Sequence, residues 1–401
     1  MTPILTDLTI VEVAAFVAAP LGGLTLSQLG AEVIRIDPIG GNIDFTRWPL
    51  NKDGHSIYWA GLNKGKRSVA LDLKSPEGQE IAAAICTAAG EGRGIVTTNL
   101  PARGWLAYET LAEARADLVM VTLIGNPDGS GAVDYTVNCA GGFPDATGSG
   151  GAPVNHVLPA WDVAAGLTIA TGVMAAERHR ARTGTGQKVT LSLADVMHAT
   201  VSNLGFSMEV EVNGTVRQPI GNDLYGAYGR DFATRDGRRI MIVAISNRQF
   251  RAVGKATGLA DRFAMIGPLM DVDLDDEGGR FAARHAISAV LEPWVAARTL
   301  AEIREAFDGT GVLWGPYQDF GQLVAEDKWH SEANPMFGRA EHHGIGATLT
   351  PGTPLAFGAV ARGAPGAAPR LGSATEAVLT EVLGLPSGEI ARLADKGVVA
   401  L

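Results

Sequence analysis

The sequence has few of the residues that secreted or metal-binding proteins depend on. Only two cysteines occur among 401 residues, and neither a Cys-x-x-Cys pair nor a Cys/His cluster is present. Disulfide frameworks and structural zinc sites need several such residues at short, regular spacings. The sequence therefore predicts no disulfide and no bound metal.

Long hydrophobic runs and an excess of basic charge are also missing. No apolar run reaches about 18 residues, the length that spans a bilayer, and the N-terminus lacks the pattern of a signal peptide. The formal net charge is −10 at pH 7, whereas nucleic-acid-binding proteins usually carry basic surfaces. We expect a cytoplasmic protein whose partners include neither nucleic acid nor a membrane.

Apolar segments of strand length alternate with helical segments through the first 125 residues. The strand-like segments are LTIVEVAAF, AEVIRID, SVALDL, GIVTTNL and DLVMVTLIG. Such alternation is typical of parallel β/α units. We therefore predict the α/β fold class, with a Rossmann-like arrangement in this part of the chain.

The pattern changes near residue 215. Residues 225–320 contain shorter strand and helix segments, and RDGRR has the character of a hairpin turn between two strands. These features predict a smaller α+β domain over residues 216–324. The large domain is then expected to comprise residues 1–215 together with residues 325–401.

The turn after the first strand argues against a classical dinucleotide site. Its sequence, AAFVAAPLGG, lacks the GxGxxG spacing, although Asp37 ends the second strand where a ribose-binding acid would stand. Residues 47–74 are locally basic. That charge fits either a solvated surface or a ligand that carries phosphate, and composition does not distinguish the two.

Asp162 precedes a helix that is predicted to run to about Arg182, and the small residues Ala164, Ala165 and Gly166 follow it. Aspartate is a favoured N-cap, so a purely structural role is one interpretation. In the other, the helix dipole holds the carboxylate ionised and the carboxylate attacks an acyl carbon. The residues alone leave both interpretations open.

Four segments, in order along nearly the whole chain, resemble the family III CoA-transferases, the group of formyl-CoA transferase and α-methylacyl-CoA racemase. They are LGAEVIRID, NKGKRSVALDLKSPEG, DVAAG with AAERHRARTGTGQKVTLSLAD, and GAAPRLGSATEAVL. The resemblance implies an acyl-CoA as the small-molecule substrate, with CoA as part of that substrate and no permanently bound cofactor. It also implies an interlocked homodimer, in which each subunit is a ring threaded by the other.

The resemblance also implies roles for individual residues. The family pattern D-x-x-x-G corresponds to Asp162 through Gly166, so Asp162 is the expected nucleophile and forms a mixed anhydride with the acyl group. The residues expected to contact CoA are Lys66, Asn99, Leu100 and Arg103. The candidates for contact with the substrate's carboxylate or carbonyl groups are Arg47, His156, Tyr225 and Tyr228. A hydrogen-bonded loop histidine is an equal interpretation of His156, and packing in the core is the alternative for the two tyrosines.

Departures from the family pattern narrow the expected reaction. Val17, Pro38 and Ile124 replace a glutamine, an arginine and a lysine of formyl-CoA transferase, which argues against oxalate and formate as substrates. The Gly-His-Asp motif of the racemases reads Ala132-Val133-Asp134, so the racemase's histidine base is missing.

Three further segments are typical of family members that move CoA within one unsaturated C5 diacid: VDYTVNCAGGFPDATG, PVNHVLPAWD and GNDLYGAYGRDF. We therefore expect an intramolecular CoA transfer on a short branched dicarboxylyl-CoA. The alternatives are an intermolecular CoA-transferase, a 2-methylacyl-CoA racemase, and a CoA-binding scaffold without chemistry.

Overall fold

A computed structural model describes residues 1–401. Its strands are β1 (Thr9–Val13), β2 (Glu32–Pro38), β3 (Arg67–Leu71), β4 (Ile95–Thr98), β5 (Val119–Ile124), β6 (Gln187–Ser192), β7 (Tyr228–Ala233), β8 (Arg239–Ala244), β9 (Leu313–Pro316), β10 (Phe337–His342), β11 (Gly346–Pro351) and β12 (Val399–Ala400). Its helices are α1 (Ala18–Gln28), α2 (Ile57–Leu62), α3 (Pro76–Cys86), α4 (Tyr108–Ala114), α5 (Asp134–Ala140), α6 (Phe143–Ala146), α7 (Ala160–Thr183), α8 (Leu193–Asn203), α9 (Phe206–Asn213), α10 (Asn247–Thr257), α11 (Ala260–Met270), α12 (Glu277–Ala282), α13 (Arg284–Ala296), α14 (Leu300–Phe307), α15 (Phe320–Glu326), α16 (Thr375–Leu383) and α17 (Ser387–Asp395). None of these helices combines the length and apolar character that crossing a lipid bilayer requires.

The chain divides into two compact units. The first comprises Met1–Gly141, His156–Gly214 and Lys328–Leu401, and the second comprises Gly142–Asn155 and Thr215–Asp327. Residues 142–155 cluster with the second unit because the Gly148 carbonyl accepts a hydrogen bond of 2.6 Å from the Gly221 N–H. The domain boundaries expected at residues 215 and 325 stay a prediction.

The first unit is built on a seven-stranded sheet of order β12-β3-β2-β1-β4-β5-β6. Strands β1 to β6 are parallel, and β12 pairs with β3 in the antiparallel direction. The α/β prediction is thus confirmed. The strand order reverses between β1 and β4, and ligands of open α/β sheets usually bind outside the carboxyl ends of the strands at such a point.

Helices α1 and α7 pack closely against one another through glycines. A Cβ atom on Gly166 would lie 2.8 Å from the Ala18 carbonyl oxygen, and one on Gly22 would lie 2.8 Å from Cγ2 of Ile169. Both distances are shorter than van der Waals contact, so only glycine permits this approach. The small residues that follow Asp162 therefore bring the two helices together.

The start of α7 does not fit the interpretation of Asp162 as its N-cap. Pro159 is the N-cap, and Asp162 is the third residue of the helix. The next helix, α8, is capped by the Ser192 hydroxyl, which accepts a hydrogen bond from the Asp195 N–H. The C-terminal end of α7 was predicted correctly. The helix ends at Thr183, and Gly184 follows in the left-handed conformation, with φ of 72°.

The second unit contains the antiparallel sheet β7-β8-β9. The hairpin predicted around RDGRR is confirmed, because β7 pairs with β8 across it. Apolar side chains from this sheet and from helices α10, α11, α13 and α14 form one core, in which Tyr228, Ile240 and Ile287 are fully buried.

The contact between α1 and α7 predicts opposite effects of two alanine substitutions. Gly166→Ala should lower the free energy of unfolding by about 1–3 kcal/mol, because the new methyl group overlaps Ala18 and forces the helices apart. Gly172→Ala is the matched control in the same helix, since its Cβ would meet nothing closer than 3.9 Å.

The control should raise the stability by up to about 1 kcal/mol, the helix propensity gained over glycine. Denaturant unfolding of both variants beside the parent chain measures the two effects. Equal stability of the two variants would contradict the close packing of α1 on α7.

Candidate active site

A cavity of about 560 Å³ lies at the carboxyl ends of β1, β4 and β5, where the reversal of strand order places it. Phe16 and Val17 from the turn after β1 form one wall, and Asn99 after β4 and Ile124 at the end of β5 continue it. Asp162, in the first turn of α7, also lines the cavity. All residues that line this cavity belong to the first unit.

Asp162 is a half-buried carboxylate with a raised pKa. Its pKa is raised to about 6: burial is the main cause, the negative charge of Asp134 also raises the pKa, and the positive charge of Arg47 opposes both. The carboxylate is therefore ionised at neutral pH but more basic than an ordinary aspartate. A basic, ionised and accessible carboxylate can act as a nucleophile towards an activated acyl group.

Asp134 is the site residue whose role the sequence analysis missed. Its side chain is 3% exposed, and its Oδ2 accepts hydrogen bonds from the backbone N–H groups of Trp161 (2.8 Å) and Asp162 (3.1 Å). It therefore caps α7 from α5 and satisfies N–H groups that the helix start leaves without partners. Its other oxygen is buried without a hydrogen bond.

A signal for Asp134 was present in the sequence. It is the aspartate of the segment Ala132-Val133-Asp134, which stands at the position of the racemases' Gly-His-Asp motif and keeps the aspartate while lacking the histidine. Val133 takes the place of that histidine and lines the cavity, so the structure places no base there.

Asn99, predicted to contact CoA, holds the turn after β1. Its Oδ1 accepts a hydrogen bond of 3.0 Å from the Ala15 N–H, and its Nδ2 donates one of 2.7 Å to the Ala15 carbonyl. Both ends of the amide are thus used within the protein, although the side chain also borders the cavity.

The same turn rests on a buried cluster of charged side chains around Arg35, which is fully buried. Its guanidinium donates to both oxygens of Asp37 at 2.8 and 2.9 Å and to Glu12 at 3.1 Å. It also lies 3.4 Å from Asp44 and donates to the Ala14 carbonyl at 2.9 Å. Asp37 is therefore occupied by Arg35, and the ribose-binding role considered for it is not supported.

Lys66 belongs to this cluster, which is a correction to its expected contact with CoA. Its ammonium group donates to both oxygens of Glu12 (2.8 and 2.9 Å), to the Pro20 carbonyl (2.8 Å) and to Oδ1 of Asn63 (2.9 Å). The side chain is buried, and this burial lowers its pKa to about 8. Because its donors are already used inside the protein, none is left for a phosphate.

The remaining predicted residues of the first unit fall into two groups. Arg47 is exposed at the rim and lines the cavity. Leu100 packs against the core, Arg103 is exposed before the 3₁₀ turn at Gly104–Leu106, and His156 is exposed. None of these last three lines the cavity.

Tyr225 and Tyr228 lie in the second unit and line no part of this cavity. Tyr228 is fully buried in that unit's core, and its hydroxyl lies 3.2 Å from Oγ of Ser288. This burial contradicts its expected contact with substrate. Tyr225 is partly exposed, with the guanidinium of Arg217 4.1 Å from its ring centre.

Comparison with known proteins gives three results. Residues 5–375 match the model of CoA-transferase family III. A protein of Chloroflexus aurantiacus named 2-methylfumaryl-CoA isomerase is 53% identical over 403 residues, covering 100% of this chain and 98% of that protein. A protein of Haloarcula marismortui named succinyl-CoA:mesaconate CoA-transferase is 25% identical over 371 residues, covering 88% of this chain and 89% of that protein.

Solved structures with this fold also exist. A CAIB/BAIF family protein from Brucella suis superposes with a TM-score of 0.77 at 23% identity, covering 95% of this chain and 100% of that chain. At this identity the likeness concerns the fold alone.

Proposed function

The chain belongs to CoA-transferase family III, and on that premise we propose that it moves CoA between the two carboxyl groups of mesaconate, converting 2-methylfumaryl-CoA to 3-methylfumaryl-CoA. The observation that carries the proposal is the Asp162 carboxylate, which borders the cavity with a pKa of about 6 beside a single cationic side chain, Arg47. The relative named 2-methylfumaryl-CoA isomerase, identical at 53% of positions, supports this choice of substrate.

The first half of the reaction uses Asp162 as a nucleophile. Its oxygen attacks the thioester carbonyl, the C–S bond breaks, and CoA leaves as a thiolate from a mixed anhydride of Asp162 and the acyl group. The thiolate then attacks the Asp162 carbonyl carbon. This step yields an aspartyl-CoA thioester and free mesaconate, so charge and atoms balance without any other reactant.

The second half repeats these steps with the other carboxyl group. Mesaconate turns end for end in the cavity, and its second carboxylate attacks the aspartyl-CoA thioester to form a new anhydride. The thiolate released in this step attacks the mesaconyl carbonyl and regenerates the Asp162 carboxylate. Because a trans diacid has its carboxyl groups at opposite ends, one cation can hold whichever carboxylate is not reacting.

Arg47 is the residue proposed for that task. It is the only cationic side chain among the residues that line the cavity, whereas both acidic ones, Asp134 and Asp162, are negative when ionised. A second substrate carboxylate would meet only repulsion without it. Guanidinium groups also suit carboxylates geometrically, since their N–H groups match the two oxygens.

We further propose that two copies of the chain form the interlocked homodimer typical of the family, with residues 216–324 as its smaller domain. No residue of α9 is buried, and Met208 and Val212 of this helix, together with Leu204 just before it, are more than half exposed. A second copy would cover them. Light scattering should then give twice the 41.8 kDa mass of one chain, and a monomeric mass would contradict the dimer.

A labelled acceptor distinguishes intramolecular transfer from its alternatives. Incubation of purified protein with 2-methylfumaryl-CoA and isotopically labelled free mesaconate should give unlabelled 3-methylfumaryl-CoA, as seen by chromatography with mass spectrometry. Label in the product would instead establish transfer between molecules, the reaction class of the Haloarcula relative's name. Absence of any CoA transfer would overturn the proposal.

The same assay should fail with Asp162→Asn, because an amide cannot form the anhydride. We expect kcat to fall by ~10³-fold or more, as for other lost nucleophiles. Asp195→Asn is the control, since Asp195 also occupies the third position of a helix but is exposed and lies outside the cavity. An active Asp162→Asn protein, shown by mass to be free of deamidation, would exclude Asp162 as nucleophile.

The raised pKa of Asp162 predicts the pH dependence. Only the ionised carboxylate attacks, so kcat/KM should fall as the pH drops through about 6. Asp134→Asn keeps an oxygen to cap α7 but removes the negative charge that raises the pKa of Asp162, so the acid limb should move to lower pH. A limb that stays in place or moves to higher pH in this variant would contradict the assignment.

A further inference from the structure

Two aromatic rings bracket the guanidinium of Arg47. Its central carbon lies 5.5 Å from the ring centre of Phe16 and 5.3 Å from that of Tyr58. Both distances lie within the range at which a cation is attracted to an aromatic face. The position of this cation in the cavity is therefore set by two side chains that carry no charge at neutral pH.

The backbone of Phe16 has an unusual conformation that the fold maintains. Its φ is +65°, in the left-handed region that residues other than glycine rarely adopt. Its N–H donates a hydrogen bond of 2.9 Å to Oδ2 of Asp44, which is 1% exposed and tied to Arg35. The preceding residue, Ala15, is held on both sides by Asn99.

Tyr58 and the backbone of Arg47 are fixed by a second set of contacts. The Ser56 hydroxyl donates a hydrogen bond of 2.6 Å to the Arg47 carbonyl and accepts one of 3.0 Å from the Trp59 N–H, which caps α2. Tyr58 projects from the first turn of this helix. Burial raises the pKa of Tyr58 to about 12, so its ring remains neutral at physiological pH.

The bracket also keeps Arg47 apart from the nucleophile. Arg47 lowers the pKa of Asp162 through its charge, but the guanidinium lies against the two rings and makes no ion pair with that carboxylate. A guanidinium that paired with Asp162 would engage the attacking oxygens and could not receive a substrate carboxylate. Holding Arg47 on aromatic faces leaves both groups available.

We propose that Phe16 is a positioning residue that, together with Tyr58, holds Arg47 where it selects acyl-CoAs whose acyl group ends in a second carboxylate. This inference rests on the proposed function, because it assigns how the same cavity recognises a diacid. The selectivity arises from placement of one cation in a cavity whose other ionisable side chains, Asp134, Asp162 and two tyrosines, supply no positive charge.

Binding of two matched, unreactive CoA thioethers tests the proposal without requiring turnover. S-(3-carboxypropyl)-CoA carries a terminal carboxylate. S-butyl-CoA has a chain of the same length that ends in an uncharged methyl group. Isothermal titration calorimetry gives the ratio of their dissociation constants. The parent protein should favour the carboxylated ligand, and Arg47→Met should bring the ratio close to one.

Phe16→Leu should lower the preference by about fivefold or more, the effect of losing one cation–aromatic contact. Leucine carries the same backbone strain at a positive φ, so the change isolates the ring, and Phe16→Tyr should restore the preference. Should Phe16→Leu fold poorly, Tyr58→Leu removes the second ring together with the hydroxyl that hydrogen-bonds Arg47, and Tyr58→Phe retains the ring while removing that hydroxyl alone. In both leucine variants the affinity for S-butyl-CoA should stay within about twofold of the parent value.

The pH profile supplies a readout that a merely structural role would leave unchanged. Release of Arg47 towards Asp162 would lower the pKa of that carboxylate, so the acid limb of kcat/KM should move to lower pH in Phe16→Leu. An unchanged ligand preference in both leucine variants, with Arg47→Met still abolishing it, would overturn the role of the rings and leave the transferase proposal intact. Failure of both thioethers to bind the parent protein would overturn the proposed function, and this inference with it.

Discussion

The buried guanidinium of Arg35 supports the wall of the cavity on which the other features depend. Removing a guanidinium and several carboxylates from water is costly, and such a cluster persists only when its members pair well. Here the cost is offset because Arg35 contacts Glu12, Asp37 and Asp44. Two of its contacts hold the turn that lines the cavity. Arg35 donates to the Ala14 carbonyl, and it contacts Asp44, which accepts a hydrogen bond from the Phe16 N–H.

The position of Asp162 in the cavity depends on the contact between α1 and α7. Because Gly22 and Gly166 allow these helices to approach closely, their N-terminal ends both lie at the cavity. Asp134 then ties the first turn of α7 to α5 by accepting from Trp161 and Asp162. The nucleophile is thus held by helix packing on one side and by a buried cap on the other, while its own carboxylate remains available.

The parts of the structure that were predictable from sequence depend on local patterns. The parallel β/α alternation, the end of α7 at Gly184 and the β7–β8 hairpin follow from hydrophobic spacing and glycine positions. The burial of Lys66 could not be predicted from local sequence. A buried lysine needs a charged partner, and its partner, Glu12, lies 54 positions away. The capping of α7 by Asp134 could not be predicted for the same reason, since Asp134 is 27 positions from Trp161. Tyr228 lies in the core of the second unit. Its sequence, with glycines on both sides, was also compatible with an exposed loop, so its burial could not be predicted.

The electrostatics of the cavity must meet two opposing requirements. An attacking carboxylate gains nucleophilicity as its pKa rises, yet it must stay ionised, and a pKa of about 6 leaves about 90% of Asp162 ionised at pH 7. A cation placed to receive a second carboxylate works against this elevation, because its charge lowers the pKa of Asp162. Contact between Arg47 and Asp162 would favour the ionised form further and occupy the attacking oxygens. Phe16 and Tyr58 resolve the conflict, since Phe16 contacts the guanidinium with its ring and Tyr58 contacts it with its ring and its hydroxyl, and neither is a negative partner. Placing the Phe16 ring beside Arg47 requires the strained backbone conformation of Phe16. The buried Arg35 cluster maintains that conformation through Asp44.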